Sequence, residues 1–144
     1  MKRLMLLCTI AGRKAAIPTQ DVSSVIEIEA IAPVPGTPPH VAGLTALRSQ
    51  ALTVIDCRVA MGFESAGDPV GSRAAVIQQD GHLYALVVDD ASDVEEVESE
   101  VEHIRGGFGP QWERAALGLV ETPGGPVVVL DVPALLGLRQ SEAA

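Results

Sequence analysis

The sequence predicts an all-β chain built as two similar subdomains, and three observations predict it. Roughly nine or ten short apolar runs succeed one another with turn residues between them. The apolar residues are mainly Val, Leu, Ile and Ala, with aromatics at only 3%, and β-branched side chains suit a pleated, half-buried surface. Finally, Leu52–Gly62 aligns without gaps on Val127–Gly137. Each of these segments is an apolar strand ending in Asp, with Gly six positions later.

In chain order, Leu4 to Ile10 is an apolar run, Gly12-Arg13 is a turn, and Ala15 to Pro18 continues as a short strand. Val22 to Ile28 alternates as V-S-S-V-I-E-I, the pattern of a half-buried strand. Four prolines and Gly36 between Ala32 and Pro39 exclude a helix or central strand, so this stretch is an ordered loop. Val41 to Arg48 and Ala51 to Asp56 read as two further strands, and Glu64 to Ser72 as a polar loop tip. Arg73 to Gln78 and Leu83 to Val88 flank Asp80-Gly81, a strong hairpin signal. Ser92 to Val101 spaces its valines like a helix face, but its β-branched content places it with the strands. Ala115 to Glu121 and Val127 to Asp131 form a second hairpin around Pro123-Gly124-Gly125. After each repeat strand, Asp56 or Asp131 is expected to cap a short helix that Gly62 or Gly137 stops; Pro133 suits the first turn of the second.

The net charge is -9, which disfavours nucleic acid, since phosphate backbones call for Lys and Arg. Residues 1–88 carry seven charges of each sign, whereas residues 89–144 carry twelve acids and three bases. The second half is therefore expected to present an acidic surface suited to solubility or to a basic partner. Cys8 and Cys57 sit inside apolar runs and read as buried thiols of a reducing cytoplasm. The run from Leu4 to Ala11 is short and meets Gly12-Arg13-Lys14 at once, so neither an export signal nor membrane insertion is expected.

His40, His82 and His103 are isolated from one another, and no nucleophile elbow or phosphate-binding loop occurs; no metal, cofactor or catalytic residue is expected. Gly106-Gly107-Phe108-Gly109 lacks the Lys-Ser/Thr ending of a phosphate cradle. The tract Asp89–Glu102 holds eight carboxylates in fourteen residues without the residue order of a calcium loop. It reads instead as a charged strand edge that resists pairing with other chains.

Taken together, these segments resemble the CheW-like family of chemotaxis coupling proteins. Ala15-Ala16-Ile17-Pro18, Val22-Ser23-Ser24-Val25-Ile26 and Pro33-Val34-Pro35 look like the family's opening. Val41-Ala42-Gly43-Leu44-Thr45-Ala46-Leu47-Arg48 and Leu52-Thr53-Val54-Ile55-Asp56-Cys57-Arg58 are similar to its Gly-containing strand, Leu-Arg-Gly, and Val-Ile-Asp-Leu-Arg. Leu86–Val94 and Val128–Asp131 with Leu135-Leu136 resemble its later segments. Two departures stand out. Ser49 replaces the Gly of Leu-Arg-Gly, and the acid the family carries near Ser24 is absent, Glu27 lying on the opposite face of a regular strand.

The resemblance implies two SH3-like five-stranded β-barrel subdomains sharing a core, in one intertwined domain over 1–144 whose second barrel spans roughly 73–130. It also implies a cytoplasmic, non-enzymatic adaptor joining a methyl-accepting chemoreceptor tip to the regulatory domain of a CheA-type histidine kinase. By position, Val22 and Val25 match the strand lining the receptor groove, and Gly43 and Arg48 match interaction-sensitive sites beside it. Arg105 and Phe108 fall near the family's kinase-facing surface. A different function class stays open beside this one: a β-barrel regulator that binds a small molecule between the subdomains and has no kinase partner.

Overall fold

The computed structural model describes residues 2–98, 101–102 and 109–137. The first half runs β1 (Lys2–Ile10), β2 (Arg13–Pro18), a 3-10 turn over Thr19–Asp21, β3 (Val22–Glu27), β4 (Val41–Leu47), β5 (Gln50–Asp56) and α1 (Cys57–Met61). The second half runs β6 (Arg73–Gln79), β7 (His82–Val88), β8 (Asp90–Glu98), α2 (Pro110–Ala115), β9 (Ala116–Thr122), β10 (Gly125–Leu130) and α3 (Val132–Leu135). The valine-spaced acidic tract is thus a strand where described. Val94 and Val97, three apart, consequently face opposite sides, one exposed and one buried.

The strands form two five-stranded sheets, ordered β8-β1-β2-β10-β9 and β3-β6-β7-β5-β4. Their wiring is the same. An antiparallel hairpin (β1–β2 or β6–β7) takes a bulged antiparallel strand on one side (β8 or β3) and a parallel strand on the other (β10 or β5). Both hairpins turn through two residues of positive φ, Ala11-Gly12 at 49° and 82° and Asp80-Gly81 at 53° and 80°, whose twist matches that of paired strands.

The assignment of strands to subdomains differs from the expected split at about residue 73. Each hairpin is built into the sheet of the other half: β6–β7 pair with β3 and β5, and β1–β2 with β8 and β10. A two-residue turn dictates that a hairpin pairs with itself, but not which distant strand lies against its flank. That choice is made by parallel ladders such as Thr53–Asp56 on Tyr84–Val87.

Each sheet closes on itself through the segment after its edge strand. Ala32 exchanges backbone hydrogen bonds of 2.8 and 2.9 Å with Leu44, and Glu102 does the same with Leu119 at 2.9 and 2.8 Å. The interior of one barrel is filled by Met5, Leu7, Val97, Val120, Val127 and Val129, and that of the other by Ile28, Leu52, Val54, Val76 and Ala85. Between them lies a larger shared core including Leu6, Ile10, Ile17, Ile55, Ile77, Leu86 and Leu130. Strand β1 sends Met5 and Leu7 into its barrel and Leu6, Cys8 and Ile10 into the shared core. A strand covered on both faces has no polar side, which is why this stretch reads as a continuous apolar run.

Both predicted caps form: the Asp56 carboxylate accepts from Val59 N–H and the Asp131 carboxylate from Ala134 N–H, each at 3.3 Å. Gly62, at φ 96°, ends α1 in the left-handed conformation. Helix α2 was not foreseen. It opens on Pro110 and buries Trp112, the one aromatic side chain of the buried shared core, under the Arg13 guanidinium 5.4 Å from the ring centroid.

Candidate functional site

The two bulged edge strands carry equivalent side chains at the rim of the shared core. Val25 on β3 lies opposite Ala75, and Val94 on β8 lies opposite Leu6. Ala75 and Leu6 both belong to the shared core and stand equally far before their hairpin turns. Val25 and Val94 therefore occupy matching sites on the two sheets and point to the side where the barrels meet. They are 37% and 52% exposed, and Leu4, on the same face of β1 as Leu6, is 49% exposed. Val22, opposite Ile77, packs against the shared core and lies at the inner end of the same face. The Thr19 hydroxyl donates to the Leu4 carbonyl at 3.1 Å and so ties β1 to the turn that begins β3. Val22, Val25, Leu4 and Val94 are therefore apolar side chains turned to the seam side of the two sheets.

Sequence reasoning singled out Val22 and Val25 but missed Leu4 and Val94. Val94 was findable in principle, because the two halves align hairpin on hairpin; Leu4 carried no signal beyond its place at the start of an apolar run. The charged neighbours of these side chains differ between the two sheets. Glu27 lies opposite Arg73, whereas the equivalent Glu96 lies opposite Leu4.

Gly43 is buried where β4 meets the segment after β3. A Cβ there would collide with the Ala32 carbonyl oxygen and stand 2.7 Å from Ile31 Cγ2, and its φ is +145°. Gly118 stands at the same place in the other barrel, where a Cβ would strike the Glu102 carbonyl oxygen and stand 2.7 Å from Val101 Cγ1. Both glycines thus let a backbone carbonyl approach closely enough to close the barrel. Arg48 and Ser49 form the exposed turn between β4 and β5, both at positive φ, 51° and 68°. Arg48 makes no ion pair with any described residue. Ser24 pairs with Val76 and Glu27 with Arg73, on opposite faces of β3, so the acid does not take the place of the missing one. Arg105 and Phe108 lie outside the described residues.

A polar tie fastens the two sheets where the chain crosses from β7 to β8. The Asp89 carboxylate accepts from Arg58 Nε at 2.9 Å, from Arg58 Nη2 at 2.7 Å and from Ala11 N–H at 2.8 Å, while Asp89 N–H donates to the Thr9 carbonyl at 2.9 Å. It thus joins the β1–β2 turn of one barrel to α1 of the other. The Arg58 hydrogen bond, helped by Ala11 N–H and opposed by desolvation, holds the Asp89 carboxyl below its ordinary range. A cleft of about 320 Å³ lies beside this pair, lined by Asp56, Arg58, Asp68, Ser72, Val87 and Asp89 among others. Both cysteines are buried free thiols. Burial, with a smaller contribution from Asp89, pushes Cys8 up to about 12, and burial followed by the neighbouring Cys8 also raises Cys57. His40 Nε2 lies 3.4 Å from the Leu136 carbonyl. Among the described residues no cluster of His, Cys, Asp and Glu is arranged to hold a metal ion, and no helix is long and apolar enough to cross a membrane.

Comparison with known proteins agrees with this architecture. A family model described as the CheW-like domain matches residues 4–140. Among solved structures, the chain is similar to the scaffolding protein TtCheW from Thermoanaerobacter tengcongensis at a TM-score of 0.79 and 21% identity, covering 91% of this chain and 90% of that one. That likeness concerns the fold. No curated protein matches the chain.

Proposed function

The chain belongs to the CheW-like domain family, and from that premise we propose that it is a non-enzymatic adaptor of a chemotaxis-like pathway. In this reading it couples the cytoplasmic tip of a methyl-accepting chemoreceptor to the regulatory domain of a CheA-type histidine kinase in the cytoplasm. The observation that carries the proposal is the set of four apolar side chains, from two edge strands and β1, on the seam side of the two sheets, which this reading takes as the walls of one seam groove. Three of them, Leu4, Val25 and Val94, are at least about a third exposed, and a row of this kind marks a surface meant to be covered.

The receptor tip is assigned to this groove, with Val22 and Val25 contributed by β3, Leu4 by β1 and Val94 by β8. Arg48 is assigned to its margin, at the tip of the β4–β5 turn. Gly43 acts through barrel closure rather than by contact, since its Cα is buried beneath the Ile31–Ala32 segment. The kinase is assigned to the second-half surface around Arg105 and Phe108, on the family resemblance.

The test is binding of the purified chain to a receptor-tip fragment and to the kinase regulatory domain from the same organism. Val25→Asp and Val94→Asp are expected to abolish tip binding and leave kinase binding unchanged, because each places a charge in the apolar row. Failure of the unaltered chain to bind either partner would sink the proposal.

A further inference from the structure

The seam groove has a direction built into it by one pair of matching carboxylates. Glu27 and Glu96 lie two residues beyond Val25 and Val94, on the same faces of β3 and β8, and both are exposed. What faces them differs. Directly opposite Glu27 is the exposed Arg73, so this carboxylate has a cation available across its ladder. Directly opposite Glu96 is Leu4, half exposed, so no cation faces it across the ladder; neither glutamate makes an ion pair with any described side chain.

The matching valines alone would accept an amphipathic segment equally well in either direction. The difference at their ends removes that ambiguity. One end offers an apolar surface of Leu4 and Val94 beside a carboxylate with no cation directly opposite it, and the other offers a carboxylate with a guanidinium directly opposite. Resting on the adaptor reading, we infer that Glu96 is the residue that selects and orients the receptor-tip segment in the groove. The segment it fits carries an apolar side chain seated on Leu4 and Val94 and, next to it on the same face, a Lys or Arg that meets Glu96. A segment with an acid there leaves two carboxylates facing each other as the groove closes over them, and is rejected.

The experiment titrates the chain with the purified cytoplasmic-tip hairpin of a methyl-accepting receptor from the same organism, at low and high salt. Glu96→Gln is expected to weaken binding about three- to tenfold and to reduce its dependence on salt. Glu27→Gln, with Arg73 opposite, is expected to change affinity less than about twofold. Glu121→Gln on β9 makes the same change in net charge away from the groove and is expected to leave binding alone. A Glu96→Gln variant that binds like the unaltered chain overturns the inference while the adaptor reading stands. Equal losses from Glu96→Gln and Glu121→Gln also overturn it, since only the overall field is then at work. No binding by the unaltered chain overturns the adaptor reading and this inference with it. Thermal unfolding of each variant confirms that these exposed substitutions leave the fold intact.

Discussion

Replacing Gly43 with alanine tests how the first barrel is closed. The added methyl group meets the Ala32 carbonyl oxygen head-on and stands 2.7 Å from Ile31 Cγ2 and 3.0 Å from the Ala32 carbonyl carbon. That carbonyl cannot simply retreat, because Ala32 and Leu44 are held by their two reciprocal hydrogen bonds. Relief requires either breaking the bridge or displacing β4. Forcing extra volume into such a contact costs about 1–3 kcal/mol. A side chain at φ +145° adds conformational strain of about 1–3 kcal/mol. Partial relaxation makes the combined loss about 3 kcal/mol, or roughly 10 °C in Tm for a chain of this size.

Gly118→Ala is the internal comparison. Its methyl group meets the same obstacle in the other barrel, but its φ lies outside the left-handed region, so only the packing cost of about 1–3 kcal/mol applies. Thermal unfolding followed by far-UV circular dichroism should therefore rank the unaltered chain above Gly118→Ala, and Gly118→Ala above Gly43→Ala. A Gly43→Ala chain that melts within about 2 °C of the unaltered one would refute the closure reasoning. Should it also lose tip binding at unchanged stability, Gly43 would have to act by touching the partner.

Three other outcomes follow from the same geometry. Ser49→Gly should raise stability by about 1 kcal/mol in urea denaturation, because it relieves a side chain held at φ 68° in a two-residue turn. Asp89→Asn should cost about 1 kcal/mol at pH 7, a modest figure because Arg58 and Asp89 are 32% and 26% exposed. Since the Asp89 carboxyl is held low in the folded state, its contribution is present at neutral pH and fades as pH falls below about 4, so the variant and the unaltered chain should converge in stability at acid pH. Cys8 and Cys57 should resist a thiol-specific reagent at pH 8 in the folded chain and react on unfolding in urea; prompt labelling without denaturant would contradict their burial.

Local chemistry was legible in the sequence, and long-range partnership was not. Asp80-Gly81 announced its hairpin because only certain residues accept two successive positive φ values, and Asp56 and Asp131 announced their caps because short carboxylates satisfy orphan N–H groups. The exchange of hairpins between the halves left no such mark. A parallel ladder such as β5 on β7 asks only for apolar residues on both faces, which many strands supply. The Arg58–Asp89 tie shows the same limit from the polar side. Both residues stand in segments that resemble the family, yet nothing in their local patterns shows that they meet across the seam. Helix α2 was hidden for a different reason: six residues from Pro110 to Ala115 are too few to display a helical period.

The hairpin exchange also changes what the charge distribution means. By sequence the first half is neutral and the second acidic, which points to one acidic barrel. In the fold, residues 19–88 supply one barrel and carry seven acids and three bases, net -4, while the described residues of the other carry ten acids and five bases, net -5. Lys2, Arg3, Arg13 and Lys14 travel with β1 and β2 into the sheet of the acidic β8 and offset much of its charge. Two barrels of nearly equal net charge cannot be told apart by a partner through their overall fields, which salt screens within about 8–10 Å in any case. Discrimination between the two sides of the seam then has to come from which individual charges stand opposite one another, as Glu27 stands opposite Arg73 and Glu96 opposite Leu4. Neither the stretch before α1 nor the stretch after it can present that contrast alone. Val25 and Arg73, like Leu4 and Val94, reach one sheet from opposite sides of α1 in the sequence, so the contrast exists only once both hairpins have been exchanged.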